Sequence, residues 1–535
     1  MPSDERSSRP GEAVAEAPDR ILATLRRFWG FESFRPLQAE AIRAGLDRRD
    51  SLVVMPTGGG KSLCYQVPPA VAGRTDIVVS PLIALMKDQV DALRANGYPA
   101  IALHSGMDFT EIRNAERGIA AGHHHLIFAA PERILTPRFL ELTERLGVRS
   151  FAIDEAHCIS QWGHDFRPEY RQLAQLKTRF SNASLHAYTA TATERVRNDI
   201  IEQLGLQDPT VLVGSFDRPN LLYRVIPKMD VNAQVAGVLR RHSGEAAIVY
   251  CISRKDTEQM ARYLHSHGIR AACYHAGMQA EDRRRAQDRF AAEQIDVVVA
   301  TVAFGMGIDR SDIRCVVHAA LPKSVEHYQQ ETGRAGRDGL PAECILFYSA
   351  ADVLRWQSLL ERSAEEAQAP AEVLESGKRL LEEIRRFATV IRCRHATLSA
   401  YFGETYQAPS CGACDLCLGE VEGVADATVL AQKVLSCVAR VEQRFGIEHV
   451  IDVLVAADNE RMRRWGHDRL STYGLLKDLP RKTLTNAIYQ LVDAGLLERT
   501  AGDRPVLKLN PTSWEVLRGQ RQVQLLQAKK PKAQR

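Results

Sequence analysis

Met55-Pro-Thr-Gly-Gly-Gly-Lys-Ser62 follows the apolar run Ser51-Leu-Val-Val54 and precedes Leu63-Cys-Tyr-Gln-Val67. The order reads as strand, glycine-rich loop, helix. Only glycine lets successive backbone N–H groups turn inward and approach an anion closely, and the start of the following helix adds a favourable dipole for phosphate. On this reading Thr57, Gly58, Gly59 and Gly60 cradle the phosphates of a nucleotide, Lys61 reaches the β- and γ-phosphates, and Ser62 holds Mg²⁺. One position departs from G-x-x-x-x-G-K-[ST]: Met55 stands where the first glycine is expected.

Outward from the loop, Val/Ile-rich runs at 51–55, 76–80, 126–130, 151–154 and 185–190 alternate with helical patterns. Ile83, Met86, Val90 and Leu93 keep one such helical period after Ser80-Pro81. This alternation predicts a parallel sheet covered on both faces, whose ligands sit beyond the carboxyl ends of the strands, where the loop also falls. At the end of one apolar run lies Ile153-Asp-Glu-Ala-His157. Two acids in tandem at a strand end are costly unless they meet a cation. Asp154 suits Mg²⁺, and Glu155 is placed to polarise the water that attacks a γ-phosphate.

The glycine-rich loop with Asp-Glu-Ala-His resembles superfamily 2 helicases, and Cys158-Ile-Ser-Gln-Trp-Gly-His-Asp-Phe-Arg-Pro-Glu-Tyr170 resembles the aromatic-rich loop of RecQ DNA helicases. Phe28-Trp-Gly-Phe-Glu-Ser-Phe-Arg-Pro-Leu-Gln38 is similar to that family's adenine-binding motif. The resemblance implies that Phe31 and Arg35 sandwich the base and that Gln38 hydrogen-bonds its edge. It also covers Met55, a residue the family commonly keeps there. Trp162 and Phe166 offer π-faces to unpaired bases, with His164 and Arg167 beside them for charge. Ala187-Tyr-Thr-Ala-Thr-Ala-Thr193 matches the motif thought to couple hydrolysis to strand contact, although residue chemistry alone leaves open a plain strand end with an N-cap. His123-His-His125 is not read as a metal site, because three consecutive histidines on a loop cannot all face one ion.

A second set of apolar runs, at 246–251, 271–275, 296–301, 315–318 and 344–348, lacks a phosphate loop. Two similar sheets with one such loop imply a nucleotide site at their interface. Tyr328-Gln-Gln-Glu-Thr-Gly-Arg-Ala-Gly-Arg-Asp-Gly339 supplies the completing groups. Arg334 and Arg337, three apart, can point one way, and a guanidinium can neutralise charge spread over transferring γ-phosphoryl oxygens. Arg337 is the expected finger, with Arg334 and Gln330 as supports. Thr301-Val-Ala-Phe-Gly-Met-Gly-Ile-Asp309 is similar to the preceding RecQ motif.

Cys411-Gly-Ala-Cys-Asp-Leu-Cys417 brings three thiolates within reach of one tetrahedral ion, and a redox reading is weaker without a thioredoxin-like context. Cys393 matches the RecQ zinc pattern as fourth ligand, and His395 is the chemical alternative. Beyond it, helical patterns at 427–445, 448–457 and 481–494 precede apolar runs at 496–500 and 506–509, which read as a winged helix. Its Arg461, Arg463, Arg464 and Arg469 suit duplex phosphates, or are a solvated helix face. The wing tip, Gly502-Asp-Arg-Pro505, carries no aromatic wedge.

The chain has 535 residues, enough for about three or four domains, and its 45% hydrophobic and 25% charged content is that of a globular protein. A net charge of only +4 excludes an argument for nucleic acid from overall charge. Eleven cysteines with four clustered read as cytosolic usage with one metal site. The expected organisation is a disordered tail at 1–20, RecA-like domains at 21–213 and 214–350, a helical zinc-binding platform at 351–420, a winged-helix domain at 421–520 and a basic tail at 521–535. The fold class is α/β in two tandem parallel-sheet domains, with ATP, Mg²⁺ and Zn²⁺ as cofactors and single-stranded and duplex DNA as partners. The resemblance implies ATP-dependent DNA unwinding, 3′→5′ polarity and a role in repair and recombination. A cytoplasmic, nucleoid-associated setting follows if the source is bacterial, and a single-stranded-DNA-binding protein is a partner the residues leave open. The rivals are an RNA helicase, disfavoured by the zinc and winged-helix segments, and a non-catalytic scaffold, disfavoured by Lys61, Asp154, Glu155 and Arg337.

Overall fold

The computed structural model describes residues 17–528 apart from 105, 303, 305–309, 369 and 501–504. Most of the 301–309 motif, most of the wing tip and the segments 1–16 and 529–535 therefore lie outside the described residues.

Seven parallel strands form the first sheet: β1 Ser51–Val54, β2 Asp76–Val79, β3 Ala100–Leu103, β4 Leu126–Ala129, β5 Ser150–Ile153, β6 Ser184–Thr189 and β7 Thr210–Val213, in the order β3-β4-β2-β5-β6-β1-β7. Every residue of β1, β2, β4, β5 and β6 is buried, as strands covered by helices on both faces require. The second sheet is also parallel: β8 Leu221–Pro227, β9 Ala246–Tyr250, β10 Ala271–Tyr274, β11 Val297–Ala300, β12 Ile313–His318 and β13 Ala342–Tyr348, in the order β10-β11-β9-β12-β13-β8. In these two sheets the strands absent from the sequence reading are β3, β7 and β8, each at a sheet edge. Burial alternates along β7 and β8, so neither shows the continuous apolar run of a central strand.

The zinc segment is built into the second sheet rather than appended to it. Tyr223 of β8 donates its backbone N–H to Ala413 O at 3.1 Å and accepts from Asp415 N at 3.0 Å, so the cysteine-rich turn caps the open strand edge. One hydrophobic core runs from Leu52 and Ile153 through Leu221 and Tyr328 to Phe387, Leu398 and Cys414. The winged helix has its own core, from Ala427 to Leu525, and its helix Arg481–Asp493 meets the helix Ala350–Glu366.

Both expected tails contain ordered elements. Helix Ala17–Trp29 begins inside the expected 1–20 tail, because Ile21 and Leu25 are buried against Ile42 and Val67. At the other end β17, Leu526–Ala528, pairs antiparallel with β14, Val421–Gly423, and closes the winged helix where a basic tail was expected from 521. The wing is the short pair β15 Glu498–Arg499 and β16 Leu507–Lys508. The first winged-helix helix stops at Arg440, before Glu442 and Gln443 turn to positive φ. Among the described residues, no helix is long and apolar enough to cross a membrane.

Candidate functional site: a nucleotide cleft between two sheets

The phosphate loop leaves β1 and closes on the helix Lys61–Ala72, capped by Gly60. Gly58 and Gly60 have φ of +83° and +80°, and a Cβ on Gly59 would lie 2.9 Å from Pro56 O. These three positions need glycine for conformation or for space. Lys61 Nζ lies 3.5 Å from Met55 O. From the segment upstream, Arg35 donates to Gly58 O, while buried Gln38 donates from Nε2 to Gly60 O at 3.0 Å and accepts from Arg35 N at 2.8 Å. Both side chains thus brace the loop itself, and Phe31, 51% exposed, presents an open ring beside them.

Asp154 continues β5 by donating its N–H to Val79 O at 2.8 Å, and Glu155 turns away at φ +48°. Burial and the neighbouring charge of Glu155 push the Asp154 carboxyl up to about 7, against the opposing charge of Lys61. A cation held there with Ser62 would reverse that shift, so the pair fits Mg²⁺. Burial opposes ionisation of Glu155 too, but the close approach of His157 and the charges of Lys61 and Arg334 outweigh it and hold the carboxyl below its usual range. His157 Nδ1 lies 2.9 Å from Thr189 Oγ1 and 3.3 Å from Glu155 Oε2.

His164, expected beside Trp162 and Phe166 for charge, is packed inside instead. It stacks on His157 at 4.3 Å and meets His327 of helix Val325–Thr332 edge-on at 4.8 Å. Burial and the charges of His157, His327 and Lys323 hold its pKa well below the ordinary histidine range, so it is neutral. Trp162, Phe166 and Arg167 are nearer the surface. Arg195 lies over Trp162 with its Cζ at 3.3 Å from the ring centroid, and Arg379 of the zinc segment lies at 5.1 Å. Arg171 covers Phe166 at 5.5 Å, and Arg167 donates to Pro81 O at 3.2 Å while pairing with Asp165.

From the second sheet, helix Val325–Thr332 delivers Gln330, whose Nε2 donates to Thr191 Oγ1 at 3.2 Å. The turn after it carries Arg334, whose charge acts on Glu155, and Arg337, whose Cγ lies 3.6 Å from where a Cβ of Gly58 would be. The two side chains thus belong to one cleft. Arg218 was not singled out from sequence. It donates to Thr57 O at 3.4 Å and Gly333 O at 3.3 Å through Nη1, and to Ala335 O at 3.0 Å and Gly336 O at 2.8 Å through Nη2. One side chain thereby ties the phosphate loop to the arginine turn. Its only local signal is Asp217-Arg-Pro-Asn220 in the connection between the sheets.

The sulfurs of Cys393, Cys411, Cys414 and Cys417 all lie within 4.8 Å of one another. Four thiols so gathered fit a closed structural Zn²⁺ site. His395 is excluded as a ligand because Nδ1 faces Asp217 Oδ1 at 2.5 Å and Nε2 faces Leu221 O at 3.0 Å and Ala413 O at 3.1 Å. In the winged helix, Arg463 pairs with Asp458 at 2.7 Å and Arg461 lies over Phe445 at 5.6 Å. Trp465, also not singled out, is 51% exposed among these arginines.

Comparison with known proteins agrees with this architecture. Residues 35–200 match the DEAD/DEAH box helicase family, 229–339 the helicase conserved C-terminal domain, 350–418 the RecQ zinc-binding family and 422–534 the RQC domain. The chain is 43% identical over 505 residues to the ATP-dependent DNA helicase RecQ of Pasteurella multocida, spanning 94% of this chain and 79% of that one. It is 43% identical over 513 residues to the protein of the same name from Haemophilus influenzae, spanning 96% and 82%. The solved structure of the DUF1998 helicase MrfA bound to DNA has a TM-score of 0.52 at 20% identity over 66% of this chain and 55% of that chain, a likeness of fold alone.

Proposed function

The chain belongs to the RecQ family of ATP-dependent DNA helicases, and from that premise we propose how its own residues divide the work of unwinding. One observation carries the assignment: the arginine turn of the second sheet lies against the phosphate loop of the first, with Asp154 and Glu155 beside both.

Lys61 and the N–H groups of residues 57–60 hold the β- and γ-phosphates. Ser62 and Asp154 hold Mg²⁺, which when bound supplies positive charge at the phosphate oxygens. Glu155, kept ionised, accepts a hydrogen bond from the attacking water and polarises it, while His157 fixes the carboxylate's direction. Arg337 neutralises charge that spreads over the γ-phosphoryl oxygens, an effect worth about 10³–10⁵ in rate in other phosphoryl-transfer enzymes. Arg334 and Gln330 support it from either side. Phe31 stacks on adenine, and Arg35 and Gln38 exchange loop carbonyls for the base. Trp162, Phe166 and Arg167 contact the unpaired strand, and neutral His164 passes the state of that loop to His157 by ring stacking. Zn²⁺ held by Cys393, Cys411, Cys414 and Cys417 cross-links the turn that caps β8.

The working units are the two sheets, the zinc segment at 351–420 and the winged helix from 421 to β17, which holds duplex through Arg461, Arg463, Arg464 and Arg469. Movement is 3′→5′ and serves repair and recombination inside the cell, at the nucleoid in a bacterial host. A single-stranded-DNA-binding protein is a fitting partner for an enzyme that produces its ligand. The test is unwinding of duplexes carrying a 3′ or a 5′ tail, with ATP and Mg²⁺, against RNA duplexes as control. Unwinding of the 3′-tailed DNA alone is expected; equal activity on RNA would overturn the substrate assignment, and preference for the 5′ tail the polarity.

A further inference from the structure

Helix Arg394–Tyr401 begins on a zinc ligand, since Cys393 is its N-cap. Eight residues span about 12 Å, and at the far end Tyr401 donates its hydroxyl to Glu326 Oε1 at 2.6 Å. Glu326 sits in the first turn of helix Val325–Thr332, the helix that carries Gln330 and leads directly into Arg334 and Arg337. Its side chain is buried, and a buried carboxyl is costly unless a hydrogen-bond partner meets it. A negative group at the start of a helix is favoured by the dipole, but that does not explain a partner drawn from another domain.

The arginine helix also meets the zinc segment through a third helix, Ala371–Thr389. Tyr328 lies 5.2 Å from Phe387 of the zinc segment, ring to ring. Just past Tyr401, Phe402 stacks on Phe216 at 4.4 Å, and Glu404 accepts from Ser215 Oγ at 2.6 Å and Phe216 N at 2.8 Å. Gln329 returns from the arginine helix to donate to Phe216 O at 3.0 Å. The connection between the sheets, including Arg218 with its bond to Thr57 O, is thus gripped from both sides.

We propose that the zinc-anchored helix Arg394–Tyr401 is a positioning element for ATP hydrolysis, acting through the Tyr401–Glu326 hydrogen bond to set where the arginine turn stands against the phosphate loop. The inference rests on the assignment of Arg334 and Arg337 to hydrolysis. Tyr401 and Glu326 touch neither the cleft's acids nor its loop, so they position rather than catalyse. The zinc segment then has a second role besides mounting the winged helix.

The experiment uses the full chain loaded with zinc and saturating single-stranded DNA. Tyr401→Phe, which removes only the hydroxyl, is expected to lower the ATPase kcat by about tenfold, the scale of one lost buried hydrogen bond. KM for ATP, affinity for ADP and one zinc per chain should stay within twofold, while trapping of ADP with aluminium fluoride should weaken in step with kcat. Glu326→Gln keeps an acceptor oxygen and should retain most of the rate; Glu326→Leu should not. A wild-type kcat in Tyr401→Phe and Glu326→Leu would overturn the proposal, as would a loss of kcat matched by equal loss of zinc or of thermal stability. If Tyr401→Phe does not fold, Glu326→Leu against Glu326→Gln decides. Arg337→Ala is the parallel control: if it hydrolyses ATP at the wild-type rate, the reading of the cleft itself fails, whereas its loss with Tyr401→Phe intact sinks only the positioning role.

Discussion

Arg394 is 1% exposed, and replacing it with methionine tests how the zinc segment is held. Its Nε and Nη2 donate to the two carboxylate oxygens of Asp415 at 3.0 and 3.2 Å, and Nη1 donates to Phe387 O at 2.9 Å and Val390 O at 3.1 Å. Asp415 also accepts from Val225 N at 3.0 Å, so the pair links the zinc turn, the helix behind it and β8. Methionine fills most of the stem's volume and abolishes all four bonds. Removing one partner of a buried pair costs about 3–5 kcal/mol, because the other charge stays in place without compensation. The two freed carbonyls add to this, though not independently. At about 1–2 °C per kcal/mol, the scale for a core that runs from Leu52 to Cys414, Tm should fall by about 3–10 °C. The four sulfurs are untouched, so zinc content should remain one per chain. Adding Asp415→Asn to Arg394→Met removes the orphaned charge and should recover part of the loss. Thermal unfolding followed by circular dichroism at one scan rate, with metal analysis, measures both. A drop of less than about 2 °C in Arg394→Met, or a double variant less stable than the single one, would refute the reasoning.

Glu155→Gln should bind nucleotide almost normally yet lose at least about 100-fold in turnover, since the amide keeps size but not the charge that polarises water. Lys61→Ala should weaken nucleotide binding as well, and equal ATPase in Glu155→Gln and wild type would contradict the roles. Trp162→Ala should keep basal ATPase but lose most stimulation by single-stranded DNA; unchanged stimulation would make Trp162, between Arg195 and Arg379, a packing residue only. Burial and Glu155 raise Asp154 to about 7, so below that pH a cation must displace a proton. Apparent Mg²⁺ affinity should therefore rise about tenfold from pH 6 to pH 8, read through Mg²⁺-dependent binding of a fluorescent ADP, and a flat profile would argue against Asp154 as ligand. The same raised pKa favours the protonated fold without cation, so this group's contribution to stability is full below its unfolded value near 4 and is lost as pH rises through about 7.

The phosphate loop, the acids after β5, the arginine turn and the four cysteines were legible in the sequence because each is a short segment whose chemistry is local. Glycines at 58–60 need only their own backbone and the next helix to form an anion cradle, and three cysteines at two-residue gaps need only a turn. Central strands were legible too, since burial on both faces writes an unbroken apolar run. Among the edge strands only β10 was; β8 alternates in burial, and what completes it is a turn nearly two hundred residues away, where Asp415 accepts from Val225 N at a separation of 190. The choice between Cys393 and His395, the neutral, buried state of His164, and the reach of Arg218 to Thr57 across 161 residues depend on which atoms packing brings together. So does the contact of Tyr401 with Glu326. A motif states which groups are present; whether a side chain is ionised, ligated or spent on a neighbour depends on its desolvation and its partners, and those belong to the tertiary structure.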